Sequence, residues 1–318
     1  MSITLWQEAQ LAKLDPAALA AQMQIARSSS IFQLLPFIQV SDYQHDVTYS
    51  NEDARGTFRA INEELSEGSA SSATLQFSQA ILGDKAEIDR NIIKNKGIQS
   101  FAKEMAQKSA GVGFTYAENF IKGTKSADPR QFDGLQTIIE NYLPASQSFL
   151  APVPTAGGDP LSLLLLDEAI DAVRNPNAIM VSASLARKFW AAGRDSSVAG
   201  FVNYLPNDPA TGLGVAITQY NGINIVPIKN TFNRDTILPY NEPASNGGAL
   251  QTTSLYVGNF STEGIYGTQN GSVESNIYGQ VPGSVMYKGD VEWQAGMGVD
   301  HPLSVSRISD ITDAAITA

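Results

Sequence analysis

The 318-residue sequence predicts an α+β protein organised around one long helix and one long strand. Three observations carry that expectation. Between 84 and 125, Ile98, Phe101, Ala102, Met105, Ser109, Val112, Tyr116 and Phe120 recur at spacings of three and four, the period of one helix face. Toward the end of the chain, Val285, Tyr287, Val291, Trp293, Ala295, Met297 and Val299 share one side of a two-residue period, with Lys288, Asp290, Glu292, Gln294 and Asp300 on the other. Between these segments, helix and strand signals alternate across 130–272, the pattern of a compact α/β unit.

Residues 1–30 read as an arm. Asp15-Pro16 gives an N-cap followed by proline at the first helical position, and the helix runs to about Ala26 before Ser28, Ser29 and Ser30. It is thin in large apolar residues, so it has little to bury alone. Residues 31–43, apolar around Pro36, read as extended chain. Weak alternation over Gln44–Tyr49 (Val47 and Tyr49 on one face) and over Thr74–Ile81 (Leu75, Phe77 and Gln79) flanks a polar stretch from Asn62 to Ser72, predicting a long hairpin. A two-stranded hairpin alone is marginal in water, so it must lie on something. Asp84, Glu87 and Asp89 read as a helix entry favoured by the N-terminal dipole, in preference to a metal site. The long helix has about 25 residues, roughly 37 Å, and Gly111 and Gly113 mark a bend or a close approach. Further on, a helix is expected over Leu161–Val173, a strand over Ala178–Ala183 and a helix capped by Ser184. A hairpin turns at Asn221-Gly222, where both residues tolerate positive φ, and a strand spans Leu255–Phe260.

Composition narrows the function. Hydrophobic residues at 43% supply a real core. The absence of cysteine excludes disulfides, thiolate metal sites and cysteine nucleophiles. Glu8 stands where a signal peptide would be basic, and Leu163–Leu166 is the longest aliphatic run, so a soluble chain without export signal or membrane span is expected. A net charge of −11 argues against gripping nucleic acid.

Chemical motifs are missing. The two histidines, His45 and His301, lack an oriented partner in sequence. There is no phosphate-binding loop: Lys122-Gly123-Thr124-Lys125 has the wrong order, and Gly111-Val112-Gly113 lies inside a helix. No G-x-S-x-G elbow occurs. Trp6, Trp190 and Trp293 are far apart in sequence. No catalytic, cofactor-binding or metal-ligating residue is therefore expected, and no enzyme. Charge instead segregates. Residues 41–67 hold seven acids against Arg55 and Arg59, a net of −5, and residues 84–125 hold eight bases against five acids, a net of +3. Either the hairpin lies across the long helix of a neighbouring subunit, or both are solvated faces.

Several stretches, in this order, carry a family resemblance: ITLWQEAQLAKLDP, IFQLLPF, FRAINEEL at Phe58–Leu65, FIKGTKSADPRQFDGL at Phe120–Leu135, LLDEAIDAV, IMVSASLARKF, YNGINIVPI and VEWQAGMGVDHPLSVSRISDI. The series resembles the tailed-bacteriophage major capsid protein of the Hong Kong 97 fold. The resemblance implies an N-terminal arm (1–43), an extended loop (44–83), a peripheral-domain spine helix (84–129), an axial domain (130–272), returning peripheral strands (273–302) and a C-terminal segment (303–318). It implies self-association as hexamers and pentamers into an icosahedral shell that encloses double-stranded DNA without specific binding. The location implied is the virion, after assembly in the host cytoplasm, with portal and decoration proteins as partners and no membrane. An encapsulin-like bacterial nanocompartment is the alternative, and an unrelated α/β enzyme would need a convergent polar site.

Two departures from the family matter. No lysine lies between Lys13 and Lys85, so a loop lysine cannot weld subunits covalently. The leader begins almost at Met1, so a separate scaffolding protein is expected. The arm and loop are expected to bury their apolar residues only against neighbours, so that their folding is coupled to assembly.

Overall fold

The structure, a computed structural model, describes residues 3–5, 16–52, 56–64, 68–151, 157–193, 202–205, 217–229, 237–247, 251–280 and 282–317. The expected cap at Asp15 and the ring of Trp6 lie outside them. The first elements are a two-residue strand β1 (Ile3–Thr4), helix α1 (Pro16–Ser28), a helical turn α2 (Ile31–Leu34) and strand β2 (Pro36–Gln39). Residues 31–34, expected to be extended, coil so that both Ile31 and Phe32 turn inward. The turn stops at Leu35, at φ −83° and ψ 119°, because proline at the next position disfavours the helical region for the residue before it.

Strands β3 (Gln44–Glu52) and β4 (Ser71–Asp89) form the hairpin. At 19 residues, β4 far exceeds the expected Thr74–Ile81. It runs through the stretch read as a helix entry, which corrects that reading. Only Asp89 caps a helix: its side chain accepts from the Asn91 amide at 2.7 Å, opening α3 (Arg90–Lys96). Asp84 instead meets Lys108 at 3.1 Å, and Glu87 meets its cross-strand partner Lys288 at 3.0 Å.

Helix α4 (Gln99–Lys122) is the long helix, and it buries Phe101, Met105, Ser109, Val112, Tyr116 and Phe120 along the expected face. Ile98 and Ala102, at its exposed start, do not join them. Of the two glycines, Gly113 marks the close approach. A Cβ there would stand 2.2 Å from Ser28 Oγ, so its absence lets α1 cross α4. Space around Gly111 is open.

There follow α5 (Leu135–Asn141), β5 (Ser148–Leu150), α6 (Leu163–Asp171), β6 (Ala178–Ser182) and α7 (Ala183–Ala192). Ser182, not Ser184, caps α7, accepting from the Leu185 amide at 3.0 Å. Next come β7 (Val202–Leu205), β8 (Ile217–Tyr220) and β9 (Ile223–Ile228). Asn221 and Gly222, at φ 49° and 82°, make the expected two-residue turn between β8 and β9. The chain closes with β10 (Glu242–Pro243), β11 (Gln251–Gly258), β12 (Ile265–Gln269), β13 (Glu274–Gln280), β14 (Met286–Val299) and β15 (Val305–Thr312).

Two sheets organise these strands. The first runs β1-β2-β12-β14-β4-β3, with β13 also on β14; the second runs β5-β15-β11-β6-β9-β8-β7, with β10 on β11. Two placements differ from expectation. Strand β12, from the stretch read as one α/β unit, pairs with β14 in the first sheet. The C-terminal segment, set apart from the α/β unit in the sequence, supplies β15 between β5 and β11.

The main core is aromatic. Trp293 of β14 lies 4.9 Å from Tyr116, 5.6 Å from Phe37 and 6.1 Å from Phe32, centroid to centroid. A second cluster packs Leu166 and Ile170 of α6 and Leu185 and Phe189 of α7 on Ile179, Val181, Ile225, Val257 and Ile308. Strand β6 serves both: Ala178 and Met180 face the first cluster, Ile179 and Val181 the second. That explains its unbroken apolar sequence.

The arm and hairpin root also belong to the main core, through Leu5, Ile25, Phe32, Val47, Leu75 and Phe77. The expectation that they bury apolar residues only against neighbours is thereby corrected. The arm's small side chains suffice because α1 approaches α4 so closely.

Candidate assembly surfaces

The hairpin ends in a polar turn that presents apolar side chains. Glu63 organises it: its Oε2 accepts from the Ala60 amide at 2.8 Å, its amide donates to Ala60 O at 3.2 Å, and Arg59 donates to its carbonyl at 3.0 Å. Asn62 takes φ 68°, a conformation asparagine tolerates. On this frame Phe58 and Ile61 stand fully in solvent. Leaving such a side chain unburied forgoes about 1.5–3 kcal/mol. Glu63 and Glu64 place two negative charges on the same turn, against one positive charge from Arg59.

The opposite end of β4 carries the complement. The Arg90 amide donates to Val285 O at 2.8 Å, placing the start of α3 beside the turn that enters β14. Arg90, Lys94, Lys96 and Lys103 are exposed there, along with Ile92, Ile98 and Val285; Ile277 and Tyr278 are exposed on β13. At about 3.3 Å per residue, β4 holds the two ends roughly 60 Å apart. The acidic tip therefore cannot reach the basic end of its own chain.

What keeps this strand in place is its ladder, while a largely buried charge network holds α4 and α5 to the second sheet. Residues 79–89 of β4 pair with 286–296 of β14, and residues 71–78 pair with β3. Behind the sheet, Arg307 of β15 donates to Glu140 Oε1 of α5 at 2.5 Å, to Glu242 Oε2 at 3.3 Å and to Ser254 Oγ at 3.0 Å. Lys122, at the end of α4, reaches Glu242 Oε1 at 3.2 Å. The network ties α4 and α5 to the second sheet. Sequence reasoning missed it, because Arg307, Glu140 and Glu242 are remote in sequence and carry no motif.

The residues weighed for chemistry have structural partners. His45 Nε2 lies 3.0 Å from the Tyr266 hydroxyl, and His301 Nδ1 accepts from the Leu303 amide at 3.1 Å while its ring meets Tyr49 edge-on. Trp190 Nε1 donates to Thr218 at 2.6 Å and Trp293 Nε1 to Gln269 at 3.2 Å. Among the described residues no three His, Asp or Glu side chains gather as a metal site, and no helix is long and apolar enough to cross a membrane. Burial raises the pKa of Tyr116 and Tyr256; for Tyr220, burial acts together with a hydrogen bond to Asp167.

No protein-family model matches the chain, and no curated protein matches it in sequence. Solved structures do match. The chain is similar to the SrpI encapsulin of Synechococcus elongatus, with 12% identity and a TM-score of 0.61 over 91% of this chain and 89% of that one. It is similar to the capsid of an empty GTA particle, with 13% identity and a TM-score of 0.59 over 95% and 92% of the two chains. A protein of Mycobacterium phage Adephagia covers all of this chain and 99% of its own, at 9% identity and a TM-score of 0.59. The chain has the fold these proteins share, the Hong Kong 97 fold.

Proposed function

We propose that this chain is a structural shell subunit, not an enzyme. We read it as the major capsid protein of a tailed bacteriophage, assembling as hexamers and pentamers into an icosahedral shell around double-stranded DNA. The observation that carries the reading is the placement of complementary surfaces at opposite ends of β4, on a fold shared with an encapsulin and a GTA capsid. The acidic tip of one subunit, with Phe58 and Ile61, seats on the basic end of the next, with Arg90, Lys94, Ile92 and Ile98. Two different patches in contact make a heterologous interface, and such interfaces close into rings when the rotation allows. A chain of net charge −11 lines the shell without gripping DNA, which leaves the genome free to slide during packaging.

In this reading the arm is 1–43 and the extended loop 44–83; the axial domain takes 130–258 together with β15, and the returning strands run from β12 to residue 302. A separate scaffolding protein, a portal and a decoration protein are the partners, and assembly takes place in the host cytoplasm. With no lysine between Lys13 and Lys85, the loop forms no covalent weld, so shells dissolve to single subunits on a denaturing gel.

The test is electron microscopy of the expressed protein, sized by sedimentation, with its scaffold co-expressed where the chain alone stays small. Closed polyhedral shells support the reading; a discrete monomer or dimer under both conditions overturns it. The encapsulin-like nanocompartment is the second reading, favoured by the likeness to the SrpI encapsulin. Particles filled with cargo protein, and a gene neighbourhood without portal or terminase, decide for it.

A further inference from the structure

Three Asn-Gly pairs occur in the chain, at 221–222, 246–247 and 270–271, and their local sequences make them chemically alike. The structure separates them. Asparagine deamidates when the backbone nitrogen of the next residue attacks the side-chain carbonyl carbon. Ammonia leaves, a succinimide ring closes, and water then opens it to aspartate or isoaspartate. The attacking nitrogen must give up its proton, and a hydrogen bond holding that N–H in place opposes the step.

Gly247 N donates to Ala244 O at 3.0 Å. Gly271 N donates to Gln39 Oε1 at 3.0 Å, and the amide of Asn270 is itself held by Ser41 O and Gln294 Oε1, each at 3.3 Å. Gly222 N has no hydrogen-bond partner among the described residues. It sits at the tip of the β8–β9 turn; all three pairs are exposed with open space at the glycine, so the hydrogen bond at the glycine amide is what sets them apart. We infer that Asn221 is a spontaneous modification site of this protein, and that Asn246 and Asn270 are protected by the hydrogen bonds at the following glycine. The modification adds one negative charge. In the isoaspartate product it also adds a main-chain carbon to a two-residue turn closed by the Tyr220–Ile223 pair.

An amide hydrogen bond that must first be broken slows such a step by about fivefold. The test is peptide mapping by mass spectrometry of the folded full chain, aged in mildly alkaline buffer, beside a sample aged in urea. The expected result is faster conversion of Asn221 than of Asn246 or Asn270 in the folded protein, and similar rates at all three in urea. A Gln39→Ala variant, which removes the acceptor at Gly271, should speed conversion of Asn270. Equal rates in the folded protein, a lead by Asn246 or Asn270, or the same order in urea would overturn the inference.

Discussion

The body around Trp293 and the tip around Phe58 are built from the same residue types, yet they stand in opposite environments. Trp293 is enclosed by Phe32, Phe37 and Tyr116 from three separate elements. Phe58 and Ile61 sit on a turn organised by Glu63 and touch solvent. One strand, β4, serves both regions. The contrast teaches that the body buries its apolar residues within its own chain, while the tip withholds Phe58 and Ile61 from any such burial.

Removing the centre of the body should have the largest effect. Trp293→Ala takes out a ring in contact with three others and frees Gln269 from its bond, and should cost about 3–5 kcal/mol in denaturant unfolding. A loss under about 1 kcal/mol would break the claim that the body is self-sufficient.

Base should act on the same core. Tyr116 and Tyr256 have folded-state pKa values raised by burial. Below the unfolded value near 10 both states keep the phenol proton, and that stability is fully present. Above it the unfolded chain ionises first, so stability falls as pH rises toward the folded values. Tyrosinate absorbance of these rings should therefore appear together with loss of near-ultraviolet dichroism; ionisation of every tyrosine in a still-folded chain would contradict it.

A smaller effect is expected at the cap of α7. Ser182→Ala should lower stability by about 1 kcal/mol, whereas Ser184→Ala should cost clearly less. Equal losses would return the cap to an open question. The smallest effect on the subunit belongs to the tip. Phe58→Ser with Ile61→Ser should change the unfolding free energy by no more than about 0.5 kcal/mol while sedimentation shows assembly lost. Intact shells from this variant would sink the idea that the tip is the withheld surface. Slowed hydrogen exchange on assembly should likewise appear at the tip and at the α3 end that receives it, and not in the arm or the hairpin root, which are already packed.

Where burial follows a period, the sequence was legible. The buried face of α4 from Phe101 to Phe120, the inward side of β14 from Val291 to Val299 (not the exposed Val285) and the Asn221-Gly222 turn are visible in local pattern alone. The inner half of β4 was not. Asp84, Lys85 and Glu87 occupy exposed positions beside a β14 that lies some two hundred residues away, and in sequence they imitate the acidic start of a helix. Strand β15 escaped for the opposite reason. Ser306, Arg307, Ser309 and Asp310 are buried polar residues, satisfied by partners such as Glu140, Ala169 and Ser245 that no local window contains. The tip gave a partial signal: its acidity was legible, but full exposure of Phe58 and Ile61 depends on a Glu63 bond pattern that sequence does not announce.

The pairing of β4 with β14 has a mechanical meaning. Antiparallel hydrogen bonds run across the strands. A pull on the tip along the axis of β4 therefore loads the pairs from Gln79–Gly296 to Asp89–Met286 in shear, all together, instead of peeling them one after another. A load applied at the tip is thus met by the whole ladder at once.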